Sequence, residues 1–236
     1  MSNEPRHKAR ESYHHIRLVS DKCVATSRVG FLTEAARDKD VLDIGCIEHT
    51  TQTIGRDDWM HAHIRKAARS CVGMDSDQSE IDKMARMGVS VFCGDATAFE
   101  TGVRFETIIA GEVLEHLLDA KGFLDSCKNN LRENGRLVLT VPNANTLNYF
   151  LQNLFLGYEA DGYDHCATYT PLTIFNLLRK CGYTVERIVF IQPPTSTHHK
   201  SKVLSAFVTI FRYVQLAVCM IRPSMARTLG VICKPK

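Results

Sequence analysis

Val41-Leu42-Asp43-Ile44-Gly45-Cys46 is the stretch on which the fold turns. Val41, Leu42 and Ile44 enclose a single acid, and the run stops at a glycine, the pattern of a short buried strand entering a tight turn. Working outward, Cys71 to Asp75 and Val89 to Cys93 repeat the design: apolar runs ending at or beside an aspartate, the second followed by Gly94-Asp95. Helices are predicted between these strands, over 57–68, with Trp59, Ile64 and Ala67 or Ala68 on one face, and around 78–87. The alternation continues with strands at Phe105 to Ala110, Arg136 to Val141 (stopped by Pro142) and Tyr183 to Ile191, and helices at 118–132, 145–156 and 171–180. Alternating apolar strands and amphipathic helices specify an α/β fold, a largely parallel sheet covered on both faces. Right-handed crossovers bring the C-terminal strand ends to one edge, where such sheets bind ligands.

Composition narrows the class. The 236 residues are 44% hydrophobic and 23% charged, enough for one sizeable core. The chain is expected to divide into a helical lead-in (1–38), a ligand-binding domain (39–200) and a C-terminal amphipathic helix with a final strand (201–236) completing that domain. The nine cysteines are scattered and form no C-x-x-C pair, which speaks against a zinc site and a disulfide framework. With no signal-peptide pattern, a reducing, cytoplasmic setting is expected. The net charge of +3 is uneven: the chain after Glu186 holds eight basic residues and no acid, whereas residues 1–186 hold 21 basic residues against all 26 acids. A basic tail on an acidic body points to an anionic partner: lipid, phosphorylated substrate or nucleic acid.

Three strand ends carry candidate chemistry. The turn at Asp43-x-Gly45 leaves room for a ligand, with backbone N–H groups as its cradle. Asp75, assisted by Ser76, is placed to accept from a ribose diol; Asp95 can accept from an adenine amino group, with the Ala96 backbone alongside. A strand-end aspartate alone is often only a helix N-cap. Three in order at one edge outweigh that reading.

The segments VLDIGC (41–46), VGMDSD (72–77), CGDA (93–96), GEVLEHL (111–117) and the strand running into Val141-Pro142-Asn143 resemble successive motifs of the class I S-adenosylmethionine-dependent methyltransferases, the subgroup acting on small molecules, quinones and glycans. The resemblance covers about residues 38–190. It implies a Rossmann-like seven-stranded sheet whose last strand, Thr228 to Cys233, runs antiparallel, and S-adenosylmethionine held by Asp43, Gly45, Cys46, Asp75, Ser76, Asp95, Ala96 and Glu112. The family's glycine-rich G-x-G-x-G turn is absent: Gly45 is followed by Cys46, Ile47, Glu48 and His49, so either the loop takes another path, with His49 or Trp59 near the cofactor, or affinity is reduced. The dehydrogenase alternative needs G-x-G-x-x-G opening the first helix, which this chain lacks.

A sulfonium methyl is already activated, so the protein must mainly hold the acceptor at attack distance and deal with its proton. Glu112-x-x-Glu115-His116 resembles the arrangement that binds a divalent cation in quinone O-methyltransferases and small-RNA 2′-O-methyltransferases. Either these residues bind a cation such as magnesium, or Glu112 touches the cofactor while Glu115 and His116 bond at the helix start. His165, on a loop before a helix that Thr170 caps with Pro171 following, is a candidate base or a histidine bonded to a loop carbonyl. Asn143 and Asn145 are candidate acceptor contacts, and Tyr149, Phe150 and Phe155 are expected to pack a lid helix.

In the apolar segment 203–221, Ser205, Thr209, Arg212 and Gln215 share one stripe. Arg212 at mid-segment disfavours a spanning helix. Two readings stand: packing on the domain or a second subunit, or peripheral contact with the inner face of a membrane. The expected function is O-methylation of a small-molecule, sugar or lipid-linked acceptor. RNA 2′-O-methylation is the alternative enzyme, but no RNA module or basic–aromatic surface pattern accompanies it. A non-catalytic methyltransferase-like module is the third reading.

Overall fold

The computed structural model describes residues 4–47, 59–157, 164–193 and 202–236. Its elements, in chain order, are α1 (Glu4–Val19), β1 (Ser20–Ala25), α2 (Arg28–Ala36), β2 (Asp40–Ile44), α3 (Met60–Ala67), β3 (Ser70–Asp75), α4 (Gln78–Arg86), β4 (Val91–Cys93), β5 (Phe105–Gly111), α5 (Ala120–Asn130), β6 (Leu131–Pro142), α6 (Leu147–Leu156), α7 (Pro171–Lys180), β7 (Tyr183–Ile191), α8 (Lys202–Ile221) and β8 (Thr228–Pro235).

The strands form one sheet in the order β1-β7-β8-β6-β5-β2-β3-β4. β8 is inserted antiparallel between β6 and β7, and the other pairs are parallel. The Rossmann-like α/β fold and its antiparallel last strand are as expected. The count differs: eight strands stand among the described residues, because β1 lies inside the lead-in read as helical. Ser20-Asp21-Lys22-Cys23-Val24-Ala25 has little apolar alternation. As an edge strand it pairs with β7 alone, and Asp21 fastens it through a bidentate bond from Arg187 at 2.8 and 2.9 Å.

Alternate residues of the central strands serve opposite faces. Leu42, Ile44, Ile108 and Ala110 join a core with Phe123 and Leu124 of α5 and Ile174 and Leu178 of α7, whereas Val41, Ile109 and Val138 pack against α2 and α3 through Leu32, Ala36 and Ile64. Burial on both faces explains why the strands read as continuous apolar runs. β2 is the switch point: β3 and β4 lie to one side of it, β5 and β6 to the other. A crevice opens outside the strand ends at such a reversal.

Candidate functional site

A crevice of about 1310 Å³ occupies that position, and its walls include Asp43, Gly45, Cys46, Asp75, Ser76, Asp95, Ala96, Glu112 and His116. The expected cofactor residues thus converge on one cavity. Gly45 has φ +76°, and a Cβ there would stand 2.6 Å from Cγ2 of Val113, which follows β5. Only glycine suits both the left-handed backbone and the closeness of the two strand ends.

The expected amide cradle at this turn is not what the structure shows. Gly45 N–H and Cys46 N–H both donate to the Met74 carbonyl, at 2.8 and 3.3 Å, and Ile47 N–H donates to Asp75 Oδ2 at 3.1 Å. The turn offers a ligand shape rather than donors. His49 and Glu48 lie outside the described residues. Trp59 is buried against the same turn and donates its indole N–H to the Cys46 carbonyl at 3.1 Å.

Asp43 is buried, and its Oδ2 accepts from Nδ1 of His61 on α3 at 2.7 Å. A carboxylate in an apolar strand needs such a partner. Asp43 therefore borders the crevice with its carboxylate held by His61. Gly73 leaves room for the pairing, since a Cβ there would meet Cys46 Sγ at 2.8 Å and His61 Cε1 at 2.9 Å. Burial, with Asp43 and Asp75 nearby, pushes the Cys46 thiol far up. The eight described cysteines are all free thiols.

Asp75 and Asp95 keep open positions. Asp75 is half-buried, and its two oxygens accept from Ile47 N–H and Asp77 N–H. Asp95 is exposed; bonds from the backbone N–H and hydroxyl of Thr97 hold its carboxyl below the usual range, so it is an acceptor at neutral pH. Glu112 adopts φ +60° and takes Arg28 Nη1 at 2.6 Å. Arg28 opens α2 behind the Ser27 cap, and both line the crevice. Sequence reasoning missed Ser27, Arg28 and His61. His61 was findable, as a basic group on the apolar face of the helix following a strand with a buried acid.

Beside the crevice, Glu115, His116 and His165 each present a ligand atom, all within 4.8 Å of one another. Glu112 is not in this trio: it pairs with Arg28, so of the E-x-x-E-H residues only Glu115 and His116 belong to the cluster. Glu115 is buried, and its carbonyl accepts from the N–H groups of Cys166 and Ala167 at 2.8 and 3.1 Å, which seats the 164–170 loop over it. The rings of His116 and His165 meet edge to face at 4.7 Å, and His116 Nδ1 bonds Asp164 Oδ2 at 3.1 Å. Tyr169 is pushed up to about 12 by burial and by Glu115. The Thr170 cap is as expected, completed into a capping box by Thr173 with Pro171 following.

Two further expectations change. Asn143 is fully buried, donating to the carbonyls of Ser224 and Ala226 at 2.9 and 2.7 Å and accepting from Asn145 N–H at 3.1 Å, so it braces the loop before β8 rather than facing an acceptor. Phe150 and Phe155 do not pack a lid helix: both are exposed on α6.

A strand-end crevice with acids at successive tips is the site of a class I, S-adenosylmethionine-dependent methyltransferase fold. Residues 14–188 match the family described as a methyltransferase domain, and the chain belongs to that family. The mitochondrial ubiquinone biosynthesis O-methyltransferase of Homo sapiens is 31% identical over 96 residues, which is 38% of this chain and 26% of that protein. The chain thus matches about a quarter of the length of that curated relative. Among solved structures, a SAM-dependent methyltransferase from Archaeoglobus fulgidus is 16% identical over 87% of this chain and 90% of its own, with TM-score 0.57. The magnesium protoporphyrin IX methyltransferase of Synechocystis PCC 6803, solved with bound SAH, is 12% identical over 88% of this chain and 80% of its own, with TM-score 0.56. At these identities the structures speak for the fold.

Proposed function

We propose that this protein transfers the methyl group of S-adenosylmethionine to a hydroxyl of a small-molecule, sugar or lipid-linked acceptor. The convergence of Asp75, Asp95 and the Gly45 turn on one crevice, with Glu115, His116 and His165 beside it, carries this reading. The residues fit the cofactor: Asp75 would accept from the ribose diol, Asp95 and the Ala96 backbone would meet the adenine, and the absent side chain at Gly45 would leave room for the methionine end. Arg28, already paired with Glu112, would supply positive charge for the carboxylate of that end.

A carboxylate and two imidazoles also suit a divalent cation. Donation from His116 Nδ1 to Asp164 is the outer bond that orients a ligating histidine, leaving Nε2 as the ring's acceptor. A cation held there, magnesium included, would polarise the acceptor hydroxyl and ease loss of its proton. Without it, His165 would take that proton, with the 164–170 loop folded over the buried Glu115. The O-methylation named for the human relative supports a hydroxyl acceptor.

Calorimetry with S-adenosylhomocysteine tests the cofactor half: saturable heat is expected, and no heat at millimolar ligand overturns it. Chelation with EDTA separates the two routes for the proton. Loss of methyl transfer restored by added magnesium selects the cation; transfer unaffected by EDTA but abolished in His165→Ala selects the histidine.

A further inference from the structure

The orientation of α8 is the reverse of an ordinary surface helix. Its anchoring points are polar or small: Gln215 and Cys219 are buried and converge on Gln192 Oε1, at 3.4 and 3.7 Å, while Arg227 N–H donates to the same oxygen at 3.1 Å. Ile210, Tyr213, Val214, Met220 and Ile221 face outward, with Met220 82% and Ile221 79% exposed. Their spacing of three, four and seven residues places them on one side of the helix. A patch of this kind marks a surface that another body covers.

The charge around α8 identifies that body. Lys202 opens the helix, the exposed Arg222 follows it, and no acid stands anywhere after Glu186. Two copies meeting α8 to α8 would bring like charges together with no acid from either segment to offset them. An anionic bilayer meets both requirements, taking apolar side chains at the acyl boundary and the basic residues that flank the helix at its phosphates. Among the described residues no helix is long and apolar enough to cross a membrane, so the contact is one of lying on the surface.

We propose that the outward face of α8 seats the protein on an anionic membrane surface. Pro193, Arg227 and Thr228, which bracket the α8 segment in the chain, line the crevice, so the seat brings the crevice mouth to the headgroup level. An acceptor carried in the lipid then reaches the site without crossing water.

The test is co-sedimentation of the full chain with phosphatidylcholine vesicles, with and without phosphatidylserine, beside the double variant Val214→Glu/Met220→Glu. Both positions are exposed, so folding and S-adenosylhomocysteine binding should be unchanged in that variant. Binding to the serine-containing vesicles that falls with added salt, and falls at least about tenfold in the variant, is expected. No binding by the natural chain, equal binding to neutral vesicles, or equal binding by the variant overturns the proposal. So does light scattering that shows a dimer which the variant dissolves, because the occupant is then a second copy.

Discussion

At the scale of single residues, the site rests on one glycine and one acid whose roles separate cleanly. In Gly45→Ala the new Cβ would sit in a left-handed backbone and 2.6 Å from Val113 Cγ2. That strain costs about 1–3 kcal/mol and lowers the unfolding midpoint by several degrees, readable by calorimetry. Because the same turn borders the crevice, cofactor affinity should fall with it. Asp75→Ala should leave the fold largely intact, since its carboxylate is only half-buried, and should weaken S-adenosylhomocysteine roughly 10- to 100-fold by titration, the worth of hydrogen bonds to a charged group. The strand-tip acids were legible in the sequence because strand ends announce themselves by apolar runs that stop. The partner of Asp43 and the direction of Glu112 were not: the first depends on a contact 18 residues away, and the second on a φ of +60° that the residue type does not signal.

At the scale of elements, the buried strands were the readable ones and the edge was not. The runs 41–42, 108–110 and 188–191 are apolar because both faces of the sheet are covered there; β1 is held at the rim by pairing and one ion pair, which leaves almost no pattern. α8 was readable in composition but not in orientation, because only the folded chain shows Gln215 and Cys219 turned inward. At the N-terminal end of β2, Asp40 takes bonds from Arg69, Ser70 and Arg132, and these hold its carboxyl well below the usual range. Glu106 is lowered chiefly by the Asp40 N–H, then by Arg69 and Lys39. Both folded values lie below the unfolded ones, so this network contributes stability above roughly pH 4 and loses it as pH falls through the folded values. Urea midpoints should drop on acidification below that point. Asp40→Asn should be less stable than the natural chain at pH 7, and the gap should narrow steadily toward pH 2.

At the scale of the whole molecule, the crevice joins parts of the chain that lie far apart in the sequence: the start of α2, the tips of β2 and β3, the loop after β4, the turn after β5 and the start of β8. A ligand that touches all of them binds the folded chain and has no counterpart in the unfolded one, so its binding free energy adds to stability. At about 100 times its dissociation constant, S-adenosylhomocysteine should contribute ~2.7 kcal/mol and raise the thermal midpoint by roughly 5–10 °C. The comparison among variants gives the shift its meaning. Asp75→Ala should lose about half of it or more at the same ligand concentration, while Val214→Glu/Met220→Glu, altered on the far side of α8 from its buried anchors, should keep it in full. A shift that the Asp75 variant retains would place the ligand somewhere other than the strand ends, and would break the link between this crevice and the cofactor.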